Sequence, residues 1–377
     1  MGGPDVFVVA DNVFTPLGKT TAENFSNLRN NISAVKEHSE PAISKQPFYA
    51  ALFDKNESFV KSNTDYTKFE QLLIASIEDA LSQNGFDASD KKTILIISST
   101  KGNISLLETE KNGAELQNRI SLSTSAKLVA EHFGFVNQPV IISNACVSGV
   151  MAIITGMRLL RTGQYENAVI VGADVISEFI LSGFQSFQAL SPQVCKPFDK
   201  SRDGLNLGEG AGTIILSNQK KYAGNIKVKG GGISNDANHI SGPSRTGQEL
   251  SYAINQSLKD AELSDSDIDF ISAHGTATVY NDEMEANAIV LSGLENVPLN
   301  SLKGYYGHTL GAAGVIESVI SIQSLKEGFF LPTPGFEEIG VTQSVNVIAS
   351  SLRLEANNIL KTASGFGGCN AAVVFGK

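Results

Sequence analysis

The chain of 377 residues is 42% hydrophobic and 18% charged, an ordinary balance for a globular protein with room for about two domains or one duplicated domain. Its 39 acidic against 29 basic side chains give a formal net charge of −10, which excludes a broad nucleic-acid-binding face. Cys146, Cys195 and Cys369 are odd in number, widely spaced and without a CxxC pair, which fits neither a disulfide framework nor a structural zinc site and points to a reducing, cytoplasmic setting.

From the N-terminus, "MGGPDVFVVADNVF" lacks the basic and long apolar regions of a secretory signal, and Val6 stands where a myristoylation signal wants Ser or Thr. No uninterrupted apolar run approaches the ~18 residues of a membrane span. Short apolar runs at 6 to 10, 93 to 98, 139 to 143, 167 to 174 and 212 to 217 read as strands. They alternate with helical stretches such as 67 to 85, where Phe69, Leu72, Leu73, Ile77 and Leu81 share one face. Continuous rather than alternating hydrophobicity in the strands predicts an α/β fold with a mostly parallel sheet covered on both faces.

Four segments then return in the same order. The opening is echoed at 225 to 238, "TILIISSTKGN" by "IDFISAHGTAT", "PVIISNACVSG" and its helix by 298 to 328, and "GEGAGTIILS" by "GFGGCNAAVVFG". The order argues for two related halves, residues 1 to 220 and 221 to 377, joined near "NQKKYAG". The first half is longer, with its excess between 14 and 93 and between 175 and 207, where a lid, interface or tunnel has room to form.

Two apparent motifs fail. "GKT" at 18 to 20 has Val13 where a phosphate-binding loop needs glycine, and Asn370 occupies the third glycine position of a dinucleotide fingerprint in "GFGGCN". Both read as turns. Cys146, in "SNACVSG", sits where strand gives way to helix, near unpaired backbone N–H groups and a helix dipole that favours thiolate. Its flanking Asn144, Ala145, Ser148 and Gly149 are small enough for a substrate to approach. His274 ends a predicted strand of the second half, where α/β proteins bind ligands, and His308 starts the helix that echoes the Cys146 helix. Related halves facing each other would bring one thiol and two histidines into one pocket. Lys303 is a further candidate five residues before His308, and Glu317 falls in an apolar helix where a carboxylate needs a partner. His38, His132 and His239 have no such context.

The segments "NACVSG", "LSPQVCKPFDKSRDGLNLGEGAG", "AHGTATVYND", "SLKGYYGHTLGAAGVIE" and "GFGGCNAAVVF" together resemble the elongating β-ketoacyl-acyl-carrier-protein synthases. The resemblance implies a thiolase-like fold of two pseudo-symmetric α/β halves, each with a five-stranded mixed sheet and layered helices. It implies a decarboxylative condensation of an acyl thioester with malonyl-acyl carrier protein, giving a 3-oxoacyl product in fatty-acid or specialised polyene or polyketide biosynthesis. Matched residue by residue, it makes Cys146 the acyl-accepting nucleophile, His274 and His308 the catalytic histidines, Lys303 their supporting lysine and Glu317 a buried member of that network. Backbone N–H groups of Cys146 and Phe366 fall at the oxyanion hole, Phe366 at the gate, and Thr276 and Thr278 at the contacts to the phosphopantetheine arm. That arm is carried by the acyl carrier protein, so no resident cofactor is implied. A homodimer is the expected assembly, with a heterodimer containing a ketosynthase-like subunit as the alternative.

The chain departs from the family pattern at Asn144, Val147 and Cys369, and its opening lacks the usual Thr-Gly turn. These departures leave chain length, starter and pathway open. A non-elongating partner subunit of chain-length-factor type is the competing function, opposed by the presence of Cys146. A thiolase-like or thioester-hydrolysing enzyme is opposed by the histidine pair. For an acidic carrier, Lys61, Lys68 and Lys127 are candidate docking residues.

Overall fold

The computed structural model describes all residues except 1, 2, 55, 56, 58, 60 to 65, 84, 85, 238 and 239. Ten strands form its main sheet. They are β1 (Phe7–Phe14), β2 (Thr93–Ser98), β3 (Val140–Ile142), β4 (Asn167–Asp174), β5 (Gly210–Ser217), β6 (Lys227–Asn235), β7 (Phe270–Ser272), β8 (Leu299–Asn300), β9 (Asn358–Gly365) and β10 (Cys369–Gly376). Their spatial order is β3-β2-β4-β5-β1-β6-β10-β9-β7-β8, which reads as one five-strand pattern followed by its mirror. In each pattern the three outer strands are parallel (β2 with β3 and β4, β7 with β8 and β9) and the remaining pairs are antiparallel, so the sheet is mixed rather than mostly parallel, because continuous apolar runs report burial on both faces and not strand direction. The four sequence echoes therefore occupy equivalent strand positions. The fifth equivalent of this set, β9 opposite β4, has no counterpart among those echoes.

The two patterns are joined edge to edge by little. Phe7 pairs with Lys227, the Val8 N–H donates to the Ile226 carbonyl at 2.8 Å, and the Val228 N–H donates to the Val6 carbonyl at 2.9 Å. Their main connection is a shared helical layer. Period-2 alternation sends Ile94 and Ile96 of β2 and Ile359 and Ala363 of β9 into one central cluster, while Leu95, Ile97 and Leu360 face outward. Helices α1 (Lys68–Ser82) and α2 (Ser148–Arg161) follow β1 and β3, and α3 (Gln248–Asp260), α4 (Val279–Leu291) and α5 (Ala313–Glu327) belong to the second half. Helix α1 covers one outer face through Phe69, Leu72, Leu73 and Ile77, and α3 and α4 cover the other through Leu250, Ile254, Met284 and Ile289. Helices α2 and α5 lie in the central cluster between the two strand sets. Helix α5 is buried around its circumference from Ala313 to Ile322, as a helix covered on all sides must be.

Helices α2 and α5 touch backbone to backbone at their N-terminal ends. A Cβ on Gly149 would lie 2.7 Å from the Val315 nitrogen, and one on Gly314 would lie 2.4 Å from the Val150 nitrogen. Only glycine permits that approach. It brings the turns that precede the two helices, one holding Cys146 and the other His308, to the same place.

Both rejected motifs are turns. Thr15 and Gly18 exchange backbone hydrogen bonds before the Thr21–Arg29 helix, and "GFGGCN" closes the β9–β10 hairpin with Gly367 and Gly368 at positive φ. The excess at 175 to 207 contains the Glu178–Ser186 helix, which reaches the cavity holding Cys146.

Candidate active site

Cys146 follows β3 and precedes α2, at the turn where Ala145 adopts φ +46°. The Ser148 hydroxyl closes this turn, accepting from the Asn144 N–H at 2.8 Å and donating to the Ala145 carbonyl at 2.6 Å. The thiol lines a cavity of about 480 Å³ that also contains His274, His308, Thr276, Thr278 and Phe366. All the site residues read from the sequence as touching substrate thus share one pocket. Its mouth is aromatic, with Phe366 stacked on Phe184 at 5.8 Å and edge-on to Phe187 at 5.4 Å. A Cβ on Gly365 would lie 3.0 Å from the Cys146 nitrogen, so the Gly365–Phe366 backbone runs directly beside the thiol-bearing residue.

The electrostatics of Cys146 overturn one expectation. The helix end favours thiolate, but burial outweighs it and pushes the thiol up to about 12, with Lys303 pulling down and Asp174 pushing up. Cys146 at rest is therefore a neutral thiol.

Both histidine rings are buried and lie edge to face, with centroids 5.2 Å apart. Burial, and then the nearby Lys303 ammonium, hold each well below the usual histidine range, so both are uncharged. Lys303 Nζ lies 3.4 Å from His274 Nδ1 and donates to the His274 carbonyl. An ammonium only donates, so Nδ1 accepts and the ring proton of His274 sits on Nε2. His308 is placed by its backbone, whose N–H donates to the Asn206 carbonyl at 2.7 Å. Neither of its ring nitrogens has a hydrogen-bond partner among the described residues. Unlike most buried polar atoms, these are left open, and they line the same cavity as the Cys146 thiol.

Glu317 has the partners its apolar helix demanded. Lys303 Nζ donates to Oε1 at 2.8 Å and Lys361 Nζ to Oε2 at 2.7 Å, and both ammoniums hold the carboxyl below its usual range against the opposing effect of burial. Lys361 also donates to the Ser272 and Ala273 carbonyls, each at 3.1 Å.

The loop bearing His274, Thr276 and Thr278 hangs on two buried carboxylates absent from the sequence-derived site. Glu285 accepts the His274 N–H at 2.8 Å and the Gly275 N–H at 2.7 Å, while Asp282 accepts the N–H groups of Thr276, Ala277 and Phe198. Gly275 and Ala277 have positive φ, the bent backbone that turns these N–H groups onto the carboxylates. The Thr276 and Thr278 hydroxyls lie 2.8 Å apart. Asp174, at the end of β4, accepts the Ser99 hydroxyl and the Gly311 N–H at 2.7 Å, tying the segment after His308 to the first half. In sequence, the signal for Asp282 and Glu285 is a pair of acidic residues at the start of a helix beside a histidine loop.

The remaining candidates lie elsewhere. His38 Nε2 pairs with the Ala50 carbonyl and His132 Nδ1 with the Tyr66 hydroxyl, while His239 lies outside the described residues. Lys61 also lies outside them. Lys68 is not a free docking cation: its Nζ donates to the buried Glu209 at 2.6 Å. Lys127 is exposed beside Glu131. The departures Asn144 and Cys369 touch one another, the Cys369 thiol donating to Asn144 Oδ1 at 3.0 Å.

Among the described residues, no helix is long and apolar enough to cross a membrane. Residues 4–222 match the beta-ketoacyl synthase N-terminal domain and residues 226–337 the C-terminal domain. The chain is 30% identical to a putative mitochondrial 3-oxoacyl-[acyl-carrier-protein] synthase of Schizosaccharomyces pombe, over 81% of this chain and 72% of that protein. It is 28% identical to 3-oxoacyl-[acyl-carrier-protein] synthase 2 of Vibrio harveyi, over 99% of this chain and 98% of that one. Its fold matches the ketosynthase ApeO solved in complex with its chain length factor ApeC from Xenorhabdus doucetiae, with a TM-score of 0.85, 26% identity and coverage of 99% and 98% of the two chains. Mirrored strand sets, a thiol and two uncharged histidines in one cavity, and domain matches along most of the length all agree: the chain belongs to the β-ketoacyl synthase family of acyltransferases, whose fold is thiolase-like.

Proposed function

We propose that the cavity carries out a decarboxylative Claisen condensation between an acyl thioester and malonyl-acyl carrier protein, with Cys146, His274 and His308 as the catalytic residues. The observation that carries this reading is the meeting of one protonated thiol with two neutral histidines, one of them unpartnered at both ring nitrogens. A neutral His308 ring can take the Cys146 proton as sulfur attacks the acyl carbonyl, and the carrier thiol leaves with a proton. A malonyl thioester then loses CO₂, the electrons of the breaking C–C bond passing into an enolate. The Nε2–H of His274, together with His308, supports the enolate oxygen. The enolate carbon bonds to the acyl carbon, the C–S bond to Cys146 breaks, and the sulfur takes a proton supplied from solvent.

The backbone N–H groups of Cys146 and Phe366 are the donors for the tetrahedral oxyanion, one such donor being worth roughly 3 kcal/mol of barrier. Phe366 gates the acyl pocket, and Thr276 and Thr278 receive the phosphopantetheine arm. The arm arrives on the acyl carrier protein, and the enzyme needs no resident cofactor. The three free cysteines suit a cytoplasmic, reducing compartment. The chain pairs with a second copy along β3, an apolar, half-buried strand at the sheet edge. A non-elongating role is disfavoured by the retained nucleophile.

The test is to incubate the purified chain with acyl- and malonyl-carrier proteins and follow intact mass and product. The expected result is an acyl adduct on Cys146, lost in Cys146→Ala, and a 3-oxoacyl product two carbons longer. Competent substrates that yield neither adduct nor product would sink the reading.

A further inference from the structure

Two lysines grip Glu317, but only Lys303 belongs to the motif around His308. Lys361 comes from the middle of β9, in "NILKTASG", where Ile359 and Ala363 on either side enter the central apolar cluster. A fully buried ammonium in such a stripe is costly unless every proton finds an acceptor. Here all three do, on Glu317 Oε2, the Ser272 carbonyl and the Ala273 carbonyl. The last two acceptors are the residues that lead directly into His274.

We propose that Lys361 is a positioning residue of the condensing site, fixing Glu317 and the end of β7 while adding a second buried positive charge beside His274 and His308. The inference rests on the function proposed above. Lys303, Lys361 and Glu317 sum to one positive charge; without Lys361 the set is neutral. The excess charge opposes protonation of either ring, and Lys361 depresses both histidines by its field. The other titratable groups around the rings are Cys146, Asp203, Asp236 and Tyr280, sharing their cavity, and Glu285, bonded to the His274 N–H; Asp282 holds the loop behind them, and Asp174 faces Cys146. An uncharged His308 is the form that takes the Cys146 proton, so the excess charge keeps the enzyme working as pH falls.

The sign follows. Removing Lys361 raises both histidines toward their ordinary value of 6.5, so activity is lost at a higher pH on the acid side. The full chain is compared with Lys361→Met, which removes charge and donors, and Lys361→Gln, which keeps a donor for the strand carbonyls without the charge. The pH dependence of condensation is measured from acid to neutral, and ¹⁵N-histidine NMR titrates the rings without turnover. The expected result is an acid limb shifted upward in both variants, hence slower turnover at the acid end, with a histidine shift in the same direction. A limb and histidine titration unmoved in Lys361→Gln, or a loss of thermal stability in Lys361→Met with an unchanged profile, would overturn the proposal. If the parent chain neither acylates nor condenses, the proposed function fails instead, and the NMR titration alone decides what Lys361 does.

Discussion

The α2 and α5 N-termini meet at Gly149 and Gly314, yet three residues further on one helix has Ala152 and the other Glu317. The first half contributes a thiol in apolar surroundings, which burial keeps protonated. The second contributes two histidines backed by Lys303, Lys361 and Glu317. The two mirrored strand sets thus carry different chemistries, a neutral thiol in one and two uncharged histidines beside buried ions in the other. What they share is the crossing that brings them together.

The strongest way to break this division of labour is to remove its members singly. His308→Ala is expected to slow both acylation of Cys146 and overall condensation by about 10²- to 10⁴-fold, the range for a lost acid–base group. His274→Ala should slow malonyl decarboxylation by a similar factor and acylation by less, which single-turnover mass spectrometry separates. Equal effects of His274→Ala on both steps would erase the distinction between the two rings.

Glu317→Ala tests whether the second half depends on its buried ions. Two ammoniums would then face one another unpaired, and a loss of about 3–5 kcal/mol of stability is expected in chemical denaturation. The crossing itself is tested by Gly314→Val. Its side chain would meet the Val150 backbone, costing about 1–3 kcal/mol and lowering kcat through displacement of the two turns. A variant with unchanged kcat would detach the site from the crossing.

A pH series sharpens the reading of the thiol. With its pKa raised from 9.0 to about 12, alkylation of Cys146 should climb about tenfold per pH unit from pH 7 to 10 with no plateau. The corresponding contribution to folding is complete below pH 9 and drains away as pH rises toward 12. A plateau near neutrality would restore the thiolate that the helix end alone suggested.

Much of the scaffold is legible in the amino-acid sequence. Continuous apolar runs mark β2, β4 and β5, and four ordered echoes place strands in equivalent positions. Strand β9 escapes because Lys361 and Thr362 interrupt its apolar run, and Lys361 escapes with it; a lysine in a strand reads as exposed until its acceptors are known. Asp282 and Glu285 are visible as an acidic pair at a helix start, but the backbone N–H groups they accept, like those on Asp174, follow only from the folded loops. The Cys146 thiolate fails for a related reason: a helix start is local, whereas burial is contributed by the whole cavity. Lys68 fails as a docking cation because its partner, Glu209, lies 141 residues away.

The seam between the halves has a further consequence. With the two edge strands paired over only a short stretch around Phe7 and Lys227 among the described residues, neither strand set owns the central helices, and each set folded alone would leave an apolar face open to water. A chain that has completed only its first half carries Cys146 without His274, His308 or the cavity the three share, so any condensing activity recovered after denaturation is expected to time the docking of the halves.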